Sequence, residues 1–207
     1  VKLGFTLYSL NYRKFDWSTI ANLLFIAAVS FQWNALFYAF WTSCLTNTFN
    51  ATSSLTMLGL MSSVQAVLCV LVTIAPFLAR MSHIQVFLVC IVEVIGFSLN
   101  LVVEVLGIKA VTCGGGMTIF LFAAAFGFFI KLFIYPQQRH EPDSNYINGT
   151  LKLIGVVLMV FSWSGFNSMG TLFDTSNVSS TANLLPSAYF NTLLCLCSAI
   201  ICSITVQ

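Results

Sequence analysis

Residues 112–129, TCGGGMTIFLFAAAFGFF, decide the fold. Three consecutive glycines, Gly114, Gly115 and Gly116, open an apolar stretch about as long as the roughly 20 residues a spanning helix needs. Ala123, Ala124, Ala125 and Gly127 leave it nearly smooth on one side, which is where helix backbones approach closely in a membrane. Such a helix needs other helices around it, and the rest of the chain supplies them.

The composition allows no water-soluble alternative. Of the 207 residues, 58% are hydrophobic and 7% charged, against about 25% charged in an average soluble domain. Mean hydropathy is +0.94. The chain therefore reads as an all-α polytopic membrane protein whose first partner is the lipid bilayer. Its net charge of +2 comes from scattered side chains, with no basic patch for nucleic acid.

Outward from the central stretch, apolar segments fall at about 17–44, 54–78, 84–107, 114–135, 151–173 and 188–206. Residues 1–10 are too few to span and resemble the last turns of a helix whose start is missing, so the expectation is six complete transmembrane helices plus a truncated first one. Both ends look cut. The polar connection at 136–150 divides 1–135 from 151–207.

Short loops rich in Lys and Arg stay in the cytoplasm. Arg13 and Lys14 mark the first loop, Arg80 the third, and Lys131, Arg139 and Lys152 the fifth, so loops 1, 3 and 5 are expected there. The sequons at Asn50 and Asn177 then face the other side as glycosylation candidates, while Asn148 falls on the cytoplasmic side.

Ionisable groups at bilayer depth are functional candidates by default. Glu93, Asn100 and Glu104, at i, i+7 and i+11, share one helical face, either as the wall of a polar pathway or as hydrogen-bonded glue between helices. The run Trp163–Gly170, containing Asn167 and Ser168, is dense in glycine and polar residues and suggests a helix break or a cavity wall. The seven cysteines form no CxxC, and most lie inside apolar runs as small buried hydrophobes. No residue set for metal, cofactor or catalysis stands out: there is no HExxH, Gly-x-Ser-x-Gly or P-loop, and His83 and His140 both read as loop residues. An enzyme is not expected.

Several motifs in order resemble the ammonium transporter/Rhesus glycoprotein family, closest to its Rhesus branch. They are Arg13-Lys14-Phe15-Asp16-Trp17-Ser18 with Phe31-Gln32-Trp33, Gly114-Gly115-Gly116-Met117-Thr118-Ile119, Leu153-Ile154-Gly155 with Trp163 and Phe166-Asn167-Ser168, and Asn191-Thr192. The resemblance implies a homotrimer, or a heterotrimer with related subunits, in the plasma membrane. Each subunit would hold two inverted five-helix repeats around its own pore. Residues 1–135 would make most of the first repeat and 151–207 the first two helices of the second.

It also implies ammonia or ammonium as the solute, and here the sequence departs. A pore histidine is expected at Phe120, after Met117-Thr118-Ile119, and an acid at Thr112. Of two phenylalanines stacked over the pore entrance, the outer would fall near Gln65 and the inner is Phe166. A phenyl ring cannot relay a proton as imidazole can. The expectation is therefore ammonium/ammonia transport through a degenerate pore, or a non-conducting structural subunit of a trimer. A seven-span receptor is a remoter reading, without Asp-Arg-Tyr after the third span or Asn-Pro-x-x-Tyr in the seventh.

Overall fold

A computed structural model describes residues 17–46, 57–77, 81–108, 115–133, 146–170 and 178–206. The described residues contain no strand, as expected of an all-α membrane protein. Six α-helices follow one another: α1 (Trp17–Thr46), α2 (Met57–Ile74), α3 (His83–Val102), α4 (Phe122–Phe133), α5 (Tyr146–Gly170) and α6 (Val178–Val206). The segment expected at residues 1–10, the loop residues Arg13, Lys14, Arg80 and Arg139, and Thr112, Asn50 and Asn177 lie outside the described residues.

Four of the described helical stretches are long and apolar enough to cross a bilayer: Ala21–Thr46, Gly59–Phe77, His83–Ile108 and Leu185–Thr205. Thr118–Phe133 and Leu153–Ser168 are shorter apolar helices. Helix ends differ from expectation in instructive ways. His83, read as a loop residue, is the first residue of α3, because Ser82 and Gln85 close a reciprocal capping box around the free N–H groups there. Helix α6 begins ten residues before the expected start and passes through Pro186. Helix α5 runs unbroken through the glycine- and serine-rich turn to Gly170, so the expected break there is absent.

The packing centres on α1, α2 and α3. One core cluster joins Leu23 and Ile26 of α1 to Val67, Val70, Leu71 and Ile74 of α2 and to Val86, Cys90 and Val94 of α3. Lipid is as apolar as leucine, so close packing and interhelical hydrogen bonds hold helices together in a membrane, and water exclusion contributes little. Both appear here. Ser30 on α1 meets the Cys90 thiol at 3.1 Å. Asn34 donates to Ser62 and Ser63 of α2 at 3.2 and 3.4 Å. At one end of α1, Asn22 meets His83 Nδ1 at 2.8 Å. Cys69 and Cys90 are buried as expected, but Cys195, Cys197 and Cys202 are exposed on α6.

Two π-helical turns flank the connection between α3 and α4, over Val103–Ile108 and Gly116–Leu121. The second opens on Gly115 in the left-handed conformation, φ 67°. Glycine is required at this position: a Cβ there would lie 2.7 Å from Ile119 Cδ1. The wide turn that follows carries Phe120, with the α-helix resuming at Phe122.

Candidate functional site

The π turn and α4 pack on the second core cluster, built on Ala66, Leu68 and Cys69 of α2, Phe97 and Leu101 of α3, Ile119, and Ala123 of α4. Ile119 is completely buried and its neighbour Phe120 only half so. Phe120 packs on this cluster and also faces α5. Its ring lies 5.4 Å from that of Trp163, tilted by 48°, and Trp163 lies 6.0 Å from Phe166 at 37°. Three aromatic rings from the π turn and α5 thus make a continuous contact, within the range where aromatic pairs attract beyond simple burial.

Beside the rings lies an open-sided cavity of about 340 Å³. Leu68 and Val72 of α2, Phe120, Val156, Met159, Val160 and Trp163 of α5, and Leu196 of α6 form its walls. Every lining residue is hydrophobic. That volume is at the lower end of the roughly 300–1,000 Å³ of small-molecule sites. It lacks the few polar groups such sites use to fix a ligand's orientation.

The expected pore candidates divide around this cavity. Phe120 is in its wall, and Phe166 touches it through Trp163. Gln65 is half-buried on α2, one turn before Leu68 on the same helical face, but is not a lining residue. Asn167 donates from Nδ2 to Thr192 Oγ1 at 3.5 Å, linking α5 to α6.

The expected polar face of α3 is not one site. Glu93 is fully buried, while Asn100 and Glu104 are half-buried and bond each other, Asn100 Nδ2 to Glu104 Oε1, at 3.1 Å. Glu93 faces α2, where Thr73 donates to Oε1 at 2.5 Å and the Cys69 thiol donates to the same oxygen at 3.5 Å. Among the described residues Oε2 has no hydrogen-bond partner. Cys69 also reaches the Ile119 carbonyl at 3.7 Å, and Thr73 reaches that of Ala123 at 3.4 Å, so the acid is tied through α2 to the turn bearing Phe120.

Cys69 and Thr73 were not singled out in the sequence, although their i, i+4 spacing on α2 is the pattern that puts two small donors on one helix face. Trp163 was read as a motif residue and part of a polar run, whereas its ring is what meets Phe120. No cluster of three or more His, Cys, Asp or Glu side chains that could hold a metal occurs among the described residues.

A family model described as Ammonium Transporter Family matches residues 1–207. Over 202 residues the chain is 26% identical to a Mus musculus protein named Ammonium transporter Rh type B, covering 93% of this chain and 42% of the mouse protein. Rhesus-like glycoprotein B of Dictyostelium discoideum is 24% identical over 177 residues, covering 80% of this chain and 29% of that protein. Ammonium transporter Rh type B-B of Xenopus laevis is 26% identical over 178 residues, covering 82% of this chain and 37% of the relative. The chain thus spans about two fifths of the length of the mouse relative.

Proposed function

The chain belongs to the ammonium transporter family, and from that premise we propose that it forms one side of a transmembrane pathway for ammonia or ammonium, with Phe120 in the place of a pore histidine. The observation that carries this reading is the apolar cavity walled by Phe120 and Trp163. Its lining offers no charged or polar side chain to replace an ion's hydration shell. Moving an unpaired ammonium-sized ion into such surroundings is strongly unfavourable, whereas a small neutral molecule escapes that penalty. The compartment therefore suits ammonia better than its cation. Deprotonation would have to precede entry, and Phe120 can neither accept nor relay the proton.

In this reading residues 1–135 supply the first repeat and 151–207 the start of the second, within a trimer in the plasma membrane. All six described helices cross the bilayer with loops 1, 3 and 5 cytoplasmic. Asn50 and Asn177 then lie outside. On the full-length protein expressed in a glycosylating cell, glycosidase should remove mass from sequons Asn50 and Asn177, and modification at Asn148 would reverse the orientation.

A second reading, a non-conducting subunit with an assembly role, is favoured by the contact of Phe120 with Trp163, which would narrow the pathway with rings. Ammonia or methylammonium flux in proteoliposomes of the full-length protein separates the two. The Phe120→His variant should conduct at least about tenfold faster than the wild type, the rate equivalent of about 1.4 kcal/mol, comparable with one hydrogen bond. Equal, substantial flux in both would remove the degenerate-pore reading. Flux in neither favours the assembly role.

A further inference from the structure

Glu93 lies outside the cavity, and the transport reading makes no use of it. It is a completely buried carboxyl with two hydrogen-bond partners on one oxygen and, among the described residues, none on the other. Among the described residues no basic side chain bonds it. Among the described residues, the helices packed around it offer one facing titratable group, Cys69 of α2; on its own helix Cys90 stands three residues earlier and is engaged by Ser30. His83 lies ten residues back along α3 and Glu104 eleven residues on, in the π turn that follows it, each about 15 Å away at 1.5 Å per residue. Lys131 is in the last turn of α4, eight residues beyond Ala123.

The decisive geometry is at Thr73. Its hydroxyl oxygen reaches three other oxygens: Glu93 Oε1 at 2.5 Å, the Cys69 carbonyl at 3.2 Å and the Ala123 carbonyl at 3.4 Å. A threonine hydroxyl has one hydrogen. An ionised Glu93 would claim it, leaving Thr73 with nothing to give either carbonyl, and would still hold charge on an oxygen with no partner. A neutral acid resolves both conflicts. Its own hydrogen goes from Oε1 to Thr73 Oγ1, the threonine hydrogen goes on to a carbonyl of α2 or α4, and the unpartnered Oε2 is an uncharged carbonyl oxygen. Leaving a neutral oxygen unpaired costs far less than leaving an ionised carboxylate so.

We propose that Glu93 is a buried proton-binding site, whose acid form donates to Thr73 and so joins α3 to α2 and α4 next to the turn that carries Phe120. The ligand is the proton itself. This does not depend on whether the pathway conducts.

Infrared spectroscopy of the full-length protein in lipid tests it. Wild type should show the carbonyl stretch of a protonated carboxyl that shifts in heavy water and with isotope-labelled glutamate. Glu93→Gln should lose that band and Glu104→Gln should keep it. Absence of the band in wild type, or its survival in Glu93→Gln, overturns the proposal. Should Glu93→Gln fail to assemble, Thr73→Val decides: removing the acceptor must move the band, and an unmoved band overturns the assignment.

Discussion

Helices α2 and α6 are alike in the property that identifies membrane spans and differ in how much of each is packed against this stretch of chain. The Gly59–Phe77 stretch has a mean hydropathy of 2.0 and the Leu185–Thr205 stretch 1.7, yet 67% of the apolar centre of the first is buried within the described residues and none of the second. The buried positions of α2 include small and polar residues as well as large apolar ones. On α2, Ser62, Ser63, Ala66, Cys69 and Thr73 give neighbouring backbones close approach or a hydrogen bond. On α6, Phe190, Leu194, Ile200, Ile201 and Ile204 present large apolar side chains outward. In a solvent as apolar as the core, a leucine gains little by going inside, so packing detail and buried polar pairs select the interior.

That contrast is broken most directly with a phenylalanine from each side. Phe97 of α3 is fully buried, with its ring 5.8 Å from Phe122 in an edge-on contact, whereas Phe190 of α6 is 64% exposed. Phe→Ala in a water-soluble core costs about 3–5 kcal/mol, part of it transfer from water that a bilayer does not supply. Phe97→Ala should therefore lower the unfolding free energy of the full-length protein in mixed micelles by about 3 kcal/mol, mainly through lost contacts. Phe190→Ala should change it by less than about 0.5 kcal/mol. A large loss from Phe190→Ala would show that α6 is packed against protein in the whole molecule, and the contrast with α2 would then belong to this stretch of chain alone.

The sequence is informative about the same things that the contrast separates. Long apolar runs make helices legible, because a bilayer admits little else without closed strands, and the ordered motifs from Arg13 to Thr192 pointed to the family that the whole-chain match supports. Phe120 was identified by its place after Met117-Thr118-Ile119, and the structure puts it in the cavity wall. The remaining wall was not legible. Val156, Met159, Val160 and Leu196 differ in nothing local from apolar residues that face outward on the same helices. The start of α6 was hidden by Ser179, Ser180, Thr181, Asn183 and Pro186, which read as a loop although the helix passes through all of them. Glu93 was read together with Asn100 and Glu104 because periodicity fixes a shared face, and what actually divides them is the pair of donors that α2 presents to Glu93 alone.

Glycine sharpens the comparison at its fine end, since the two glycine-rich helices use the residue differently. Gly115 is left-handed, and its added Cβ would meet Ile119 Cδ1 at 2.7 Å and Thr118 Oγ1 at 3.0 Å. Gly165, in the run on α5 that looked like a break, has nothing within 4 Å of an added Cβ and lies in continuous helix. The left-handed conformation costs a non-glycine residue roughly 1–2 kcal/mol, before any movement of Ile119, so Gly115→Ala should destabilise by about 2 kcal/mol in the same micelle unfolding measurement. Gly165→Ala should be neutral or stabilise by up to about 1 kcal/mol, the difference in helix propensity. The helix beside Phe120 thus depends on one glycine for its shape, while α5 tolerates a side chain at its own. If Gly165→Ala destabilised as much as Gly115→Ala, another surface would have to approach α5 there, and the open side at Gly165 would be an interface.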